Sequence, residues 1–389
     1  MSPIATSDAT STMEASSAPT KGLLHFEHVA PSKQQDLPFA DLKTVDMGSF
    51  NDGPEAQAKI AEEIRQAMHE QGFFTLINHG FTQEEVARQM DIGYTVLQRT
   101  PLSEKQRLRA RMQEDGCYKG FKLRQYYEME NGVKDKIEQF NWFRDMKSQE
   151  FPSTIQPYLD EVKEFSARMH NDVFLNLMRP LETRGHADGL LVFAISLQLP
   201  SETLVERHQF GKHDESWLRY MAYYDEHTKE DESKVKGVWL KGHQDFGTLT
   251  LLFSQPMCSL QVRDEQGKWA FVRHTPGAII VNCGVFMEWY TGGYFKAANH
   301  RVAAPPDDQR NHTRMGVFYF APNTLMESPV LQQAGVTPTF ESPEKSVTSK
   351  VYSQARIANV GKSELYKRQW GDGERVVEVL AGVEVPWYG

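Results

Sequence analysis

From Leu218 onward the chain breaks into short β-rich runs separated by Gly, Pro, Asp and Asn, and this rhythm constrains the fold more than any other feature. The runs are Tyr220–Tyr224, Thr248–Phe253, Leu260–Val262, Trp269–Val272, Ala278–Asn282, Ala298–Ala303 and Met315–Phe320. Many short strands at this spacing bury their faces against one another as a sandwich, jelly roll or barrel. The upstream texture is different. Ile60, Ile64 and Met68 recur at four-residue spacing and Gly72 ends the run, which predicts a helix. Phe73–Ile77 reads as a strand, and Asn78-His79-Gly80 as a turn. Thr82 and Glu85 form a capping box for a second helix lined by Val86, Met90, Tyr94 and Leu97. A third helix carries Tyr158, Val162, Phe165, Met169, Val173 and Leu177. These apolar stripes are core faces.

The first twenty residues are rich in Ser, Thr and Ala and cannot bury enough surface to offset ordering. Residues 1–36 are therefore expected to be a flexible tail, with order beginning near Leu37-Pro38-Phe39. A helical region over 37–200 and a β core over 215–322 follow. An extension over 323–389 packs on that core and ends in a charged helical stretch around Ser363–Gln369. Glu226–Lys236 is expected as a solvated loop and a candidate lid. The net charge of −9 argues against a nucleic-acid binder, whose phosphate contacts need clustered cations. No apolar run is long enough to cross a bilayer. Cys117, Cys258 and Cys283 lack the paired spacing of a cysteine zinc site and fit a reducing compartment, so a cytoplasmic protein is expected. No protein partner is implied.

His243 and Asp245 stand two apart, so an extended backbone turns both to one face. His300, 57 residues further on in another β-rich run, offers a third ligand. Two histidines and one carboxylate make the facial triad of non-haem Fe(II) oxygenases, which leaves open positions for a cosubstrate and O2. The same three residues fit a zinc hydrolase formally, but no positioned general base accompanies them. A core histidine beside a turn aspartate is the plainer alternative. Asp245-Phe246-Gly247 spells a kinase triplet, yet no glycine-rich phosphate loop or H-R-D loop accompanies it.

The run His243-Gln244-Asp245-Phe246-Gly247-Thr248-Leu249-Thr250-Leu251-Leu252 resembles the H-[TQ]-D-x-G-x-L-T-L-L signature of Fe(II)/2-oxoglutarate-dependent dioxygenases, in the branch that contains isopenicillin N synthase. Trp269–Val272 with Pro276–Asn282 resembles that branch's W-x-x-V…PGAxVVN run, and Asn299–Val302 its distal H-R-V. Gly72–Gly80 resembles its G-F-F-x-[VL]-x-N-H-G. The resemblance implies a double-stranded β-helix, or jelly-roll, core of mixed α and β class, flanked by N- and C-terminal helices. It implies Fe(II) on His243, Asp245 and His300, with 2-oxoglutarate and O2 as cosubstrates and a small molecule as substrate.

In this family a strand Arg grips the distal carboxylate of 2-oxoglutarate, helped by a Ser two residues on. The resemblance places that Arg at Arg314, but Gly316 stands where the Ser is usual. Tyr223-Tyr224 resembles the family's Y-Y-P, which points to Tyr224 as a phenol donor to the cosubstrate. Family-equivalent regions nominate Tyr118, Phe121, Lys122, Phe140, Trp142, Lys241 and Phe320 for the substrate pocket. The implied reaction is hydroxylation or desaturation with release of succinate and CO2. The alternatives are an iron oxidase that needs no 2-oxoglutarate, as isopenicillin N synthase is, and a jelly-roll binding protein without chemistry.

Overall fold

A computed structural model describes residues 22–34, 36–143, 149–182, 208, 216–264, 266–291, 293–321, 349–362, 364–370, 373–380 and 382–386. The N-terminal half gives β1 (Thr44–Asp46), α1 (Pro54–Glu70), β2 (Phe73–Ile77), α2 (Gln83–Arg99), α3 (Leu102–Arg107), α4 (Met112–Asp115), β3 (Gly120–Lys122), β4 (Glu128–Glu130), β5 (Val133–Lys134) and β6 (Ile137–Phe143). The third predicted helix is α5 (Leu159–Arg168) and α6 (Leu175–Glu182), joined by a π-helical turn over Met169–Phe174. Then come β7 (Trp217–Tyr223), α7 (Lys229–Lys234), β8 (Val238–His243), β9 (Leu249–Phe253), β10 (Leu260–Arg263), β11 (Trp269–Phe271), β12 (Ile279–Cys283), α8 (Val285–Tyr290), β13 (His300–Ala303) and β14 (Arg314–Ala321). The C-terminal part is α9 (Ser349–Ala358), β15 (Leu365–Trp370), β16 (Gly373–Leu380) and β17 (Val383–Pro386).

Two sheets face each other as a jelly roll. The larger has the order β1-β2-β12-β9-β14-β7-β6-β3 and the smaller β11-β10-β13-β8. Apart from the parallel β1–β2 pair, every ladder in them is antiparallel. The strands of the larger sheet are buried on both sides, which is why they read as nearly continuous apolar runs. Side chains still alternate. Tyr220, Leu251, Val281, Val317 and Tyr319 join α1 and α2 in one core, while Phe73, Met221, Leu252, Ile280 and Phe318 join Trp239 and Val302 of the smaller sheet in the other.

Helix α1 buries Ile60, Ile64 and Met68, as its spacing predicts. It cannot continue because Gly72 has φ +70° and a Cβ there would stand 2.1 Å from the Lys296 carbonyl oxygen. At the start of α2 the Thr82 hydroxyl accepts the Glu85 N–H at 3.1 Å and the Glu85 carboxylate accepts the Thr82 N–H at 2.8 Å, the expected capping box.

The fold corrects several expectations. Packing begins before Leu37: Phe26 is buried, and its N–H donates to Asp91 Oδ1 at 2.8 Å. The tail over residues 1–21 lies outside the described residues. The region over 37–200 is not only helical, because β6 and β3 extend the larger sheet. Residues 365–370 form strand β15 rather than a helix, paired to β16 through Leu365–Trp370. Glu226–Lys236 contains the short helix α7, capped by Thr228 Oγ1, which accepts the Asp231 N–H at 3.0 Å. Among the described residues no helix is long and apolar enough to cross a membrane, and all described cysteines are free thiols.

Phe121, Phe140 and Trp142 alternate onto the helix-facing side and are fully buried there, away from the cavity between the sheets. They are core residues, not pocket residues. Trp142→Ala is expected to cost about 3 kcal/mol or more in unfolding free energy, leaving 2-oxoglutarate affinity unchanged. Denaturant titration and a binding isotherm check both halves.

Candidate active site

Antiparallel pairing of β8 and β13 sets His243 opposite His300, with ring centroids 4.3 Å apart. Asp245 follows two residues beyond the end of β8, in a loop pinned to the start of α8. The Val285 N–H donates to the Asp245 carbonyl at 2.7 Å and the Gly284 N–H to the Thr248 carbonyl at 3.1 Å. A Cβ at Gly284 would lie 2.0 Å from the Gly247 carbonyl oxygen, so the loop fits only over glycine. The carboxylate oxygens of Asp245 come within 3.8 Å of His243 Nε2 and of His300 Nε2. One ligand atom from each of the three lies within 4.8 Å of the others.

The surroundings suit a divalent cation. His243 Nδ1 lies 2.9 Å from the Lys241 carbonyl and His300 Nδ1 lies 3.2 Å from the Ala298 carbonyl. Carbonyls only accept, so each Nδ1 carries the proton and each Nε2 presents a lone pair. Asp245 Oδ2 accepts from Thr250 Oγ1 at 2.7 Å and from Asn282 Nδ2 at 2.9 Å. Burial raises the Asp245 carboxyl, but His300, His243 and these hydrogen bonds outweigh it and hold it below its ordinary value. Burial, followed by the neighbouring His300, pushes His243 down to about 4. His243 is therefore a neutral imidazole and Asp245 a carboxylate at neutral pH, the state in which each can bind a metal.

The triad shares a narrow cavity of about 50 Å3 with Arg314, Tyr223 and Arg219. Arg314 is 3% exposed, and its Nη1 has no hydrogen-bond partner. Its guanidinium lies 4.8 Å from the centre of the Tyr223 ring. Tyr223, not Tyr224, is its neighbour: the ladder sets Arg314 directly opposite Tyr223, and directly opposed residues share a face. Tyr224 points the other way, donating to Glu138 Oε2 at 3.1 Å and accepting from Gln98 Nε2 at 3.1 Å. Above Gly316, the missing Ser position is filled from elsewhere. A Cβ at Gly316 would stand 2.6 Å from Gln255 Nε2, and both amide atoms of Gln255 are buried without partners.

A wider cavity of about 370 Å3 is lined by His243 and Asp245 of the cluster. Tyr118, Lys122, Lys241 and Phe320 line it, as their positions in the sequence suggest, together with Arg219, Trp217 and, from the C-terminal part, Arg356 and Val360. Sequence reasoning missed Arg219, Tyr223 and Gln255. A lone Arg inside the apolar run of β7 was the available signal for the first, and strict two-residue alternation from Arg314 for the second.

Behind the Asp245 loop, Glu288 of α8 has a buried Oε2 without a partner, and burial pushes its carboxyl up to about 7. Below its ordinary value of 4.5 the group is protonated whether the chain is folded or not. Between there and about 7 the folded chain alone holds the proton, so stability falls as pH rises through that window. Glu288→Gln is expected to stabilise by about 2 kcal/mol at pH 8 and by little at pH 4.5. Thermal melts at the two pH values check this.

A jelly roll with a half-buried His-Asp-His cluster, and a buried Arg whose Nη1 is left open in the cavity beside it, defines the class of non-haem iron oxygenases. Residues 216–321 match the sequence model of the 2OG-Fe(II) oxygenase superfamily, and residues 41–159 that of the non-haem dioxygenase in morphine synthesis N-terminal region. The chain belongs to the 2OG-Fe(II) oxygenase superfamily and is an oxidoreductase using Fe(II), 2-oxoglutarate and O2. It is 26% identical over 344 residues to a 2-oxoglutarate-Fe(II) type oxidoreductase of Emericella nidulans, covering 84% of this chain and 92% of that one. It is 25% identical over 286 residues to isopenicillin N synthase of Streptomyces microflavus, covering 68% and 81%. The fold is similar to that of a Neurospora crassa protein solved in complex with alpha-KG and thymine, at a TM-score of 0.66 and 15% identity, covering 85% of this chain and 99% of that one.

Proposed function

We propose that the protein oxidises a C–H bond of a small specialised metabolite, by hydroxylation or desaturation, and releases succinate and CO2. The observation that carries this is the unpartnered, buried Nη1 of Arg314 in the cavity that holds the triad. A buried guanidinium nitrogen left without an acceptor is costly, and a carboxylate is its natural complement. His243, Asp245 and His300 hold Fe(II), and Arg314 holds the distal carboxylate of 2-oxoglutarate. Tyr223 takes the place that the family resemblance assigned to Tyr224. Gln255 takes that of the absent Ser.

When bound, the iron and cosubstrate supply oxidative decarboxylation coupled to hydrogen removal from the substrate. One oxygen atom of O2 enters succinate, and the other enters the hydroxylated product or, in desaturation, water. The chain's own residues do the positioning. The Lys241 and Ala298 carbonyls fix the imidazole tautomers, while Thr250 and Asn282 hold the carboxylate. Trp217, Phe246 and Phe320 wall the cavity and exclude water. On this reading residues 216–321 form the catalytic core of a cytoplasmic enzyme, and the described elements on either side of them in the chain support it.

The test is an anaerobic titration with Fe(II) and then 2-oxoglutarate, read by absorption. A charge-transfer band that needs both is expected. Iron bound without that band would favour the oxidase of isopenicillin N synthase type, with Arg314 holding substrate instead; the departure at Gly316 is what gives that reading weight. Failure to bind iron would leave a binding protein.

A further inference from the structure

Arg219 is a second buried cation in the cavity, and the cosubstrate does not account for it. It is 8% exposed, and its Nε donates to Asn141 Oδ1 at 2.6 Å. Asn141 is itself fixed, because its Nδ2 donates to the Tyr118 carbonyl at 2.9 Å. The guanidinium is packed 4.5 Å from the centre of the Phe320 ring and 4.8 Å from that of Tyr118. Its Nη2 has no partner. Of the other cations lining the wide cavity, Lys122 pairs with Asp135 and Arg356 with Glu378, while Lys241 is only half-buried. The carboxylate that faces Arg219 is Asp245, already engaged by Thr250 and Asn282 and assigned to iron.

Arg219 lines both the wide cavity and the narrow one, whereas Arg314 and Tyr223 line only the narrow one. Of the two arginines, Arg219 alone therefore reaches the wide cavity, where a substrate has room.

We infer that Arg219 binds a carboxylate of the primary substrate, whose flat or alicyclic body lies against Tyr118, Trp217 and Phe320. This rests on the oxygenase reading and adds the substrate class: a small organic acid. A bidentate guanidinium contact fixes the acid end, so the reacting carbon is set by its distance from that end.

The probe is benzoate, with benzamide as its neutral match, on protein loaded with Zn(II) and saturating 2-oxoglutarate and read by saturation-transfer NMR. Benzoate is expected to give a signal and benzamide none. Absence of a benzoate signal, as competition with the cosubstrate would give, or an equal benzamide signal would overturn the inference. Arg219→Met should abolish the benzoate signal and Arg219→Lys should keep part of it. If Arg219→Met does not fold, the benzoate and benzamide comparison on the unaltered protein still decides. The 2-oxoglutarate affinity of Arg219→Lys should stay within about threefold of the parent, and a larger loss would assign Arg219 to the cosubstrate instead. Failure of the oxygenase reading looks different: the unaltered protein would then not bind 2-oxoglutarate with Fe(II) at all.

Discussion

Asp245→Ala leaves a folded protein that no longer retains Fe(II) through dialysis and releases no succinate. The carboxylate is the anionic member of the cluster. Without it a divalent ion meets two imidazoles in a half-buried site and must shed its water for little return. Loss of a hydrogen bond that merely orients a ligand weakens metal binding by about 10–100-fold, so loss of the ligand itself exceeds that range. Asn282→Ala supplies the comparison. It removes the 2.9 Å bond to Asp245 Oδ2 but keeps the ligand, and should fall within the range. Iron content after dialysis orders the three proteins. Full retention in Asp245→Ala would reject the metal assignment.

Arg314→Met raises the dissociation constant for 2-oxoglutarate by about a hundredfold, the equivalent of about 3 kcal/mol for a desolvated charge pair. Tyr224→Phe leaves it unchanged, because that hydroxyl is engaged with Glu138 and Gln98 outside the cavity. Gln255→Ala raises it by about fivefold, the value of one modest hydrogen bond. Adding Gly316→Ser to Gln255→Ala should recover little, since a Cβ there would still stand 2.6 Å from Phe318 Cε2. In the parent, Gly316→Ser clashes with Gln255 Nε2 and weakens binding. Titration of the charge-transfer band gives all five constants. Tyr224→Phe weakening as much as Arg314→Met would reverse the assignment of the two tyrosines.

The sequence was most legible where a residue's position follows from local periodicity. The stripe Ile60, Ile64, Met68 marked α1, the Thr82–Glu85 pair marked the start of α2, and the H-x-D spacing marked His243 and Asp245, which come together with His300 although Asp245 lies in a loop beyond β8. It was least legible where strands are buried on both faces. Phe121, Phe140 and Trp142 have the composition of a pocket wall, and only the pairing of β3 and β6 with β7 shows which way they point. Tyr223 and Tyr224 differ by one residue and hence by a whole face of the sheet. Gln255 could not be found from spacing, because it reaches Gly316 from a loop outside the strand it compensates. The charged stretch at Leu365–Trp370 carries helix-favouring residues, but its pairing partner β16 overrides that local preference.

The order of the larger sheet also bears on how the molecule avoids self-association. β12, β9, β14 and β7 are adjacent, and they all come from the segment that holds the His-Asp-His cluster. β2 covers the free side of β12, and β6 covers that of β7. The N-terminal part thus closes both open edges of its neighbour's sheet. Cut off from it, residues 216–321 would present two rows of unpaired amides and carbonyls on long apolar strands, a template for intermolecular pairing. The N-terminal part acts through β2 and β6 as an edge guard as much as a scaffold.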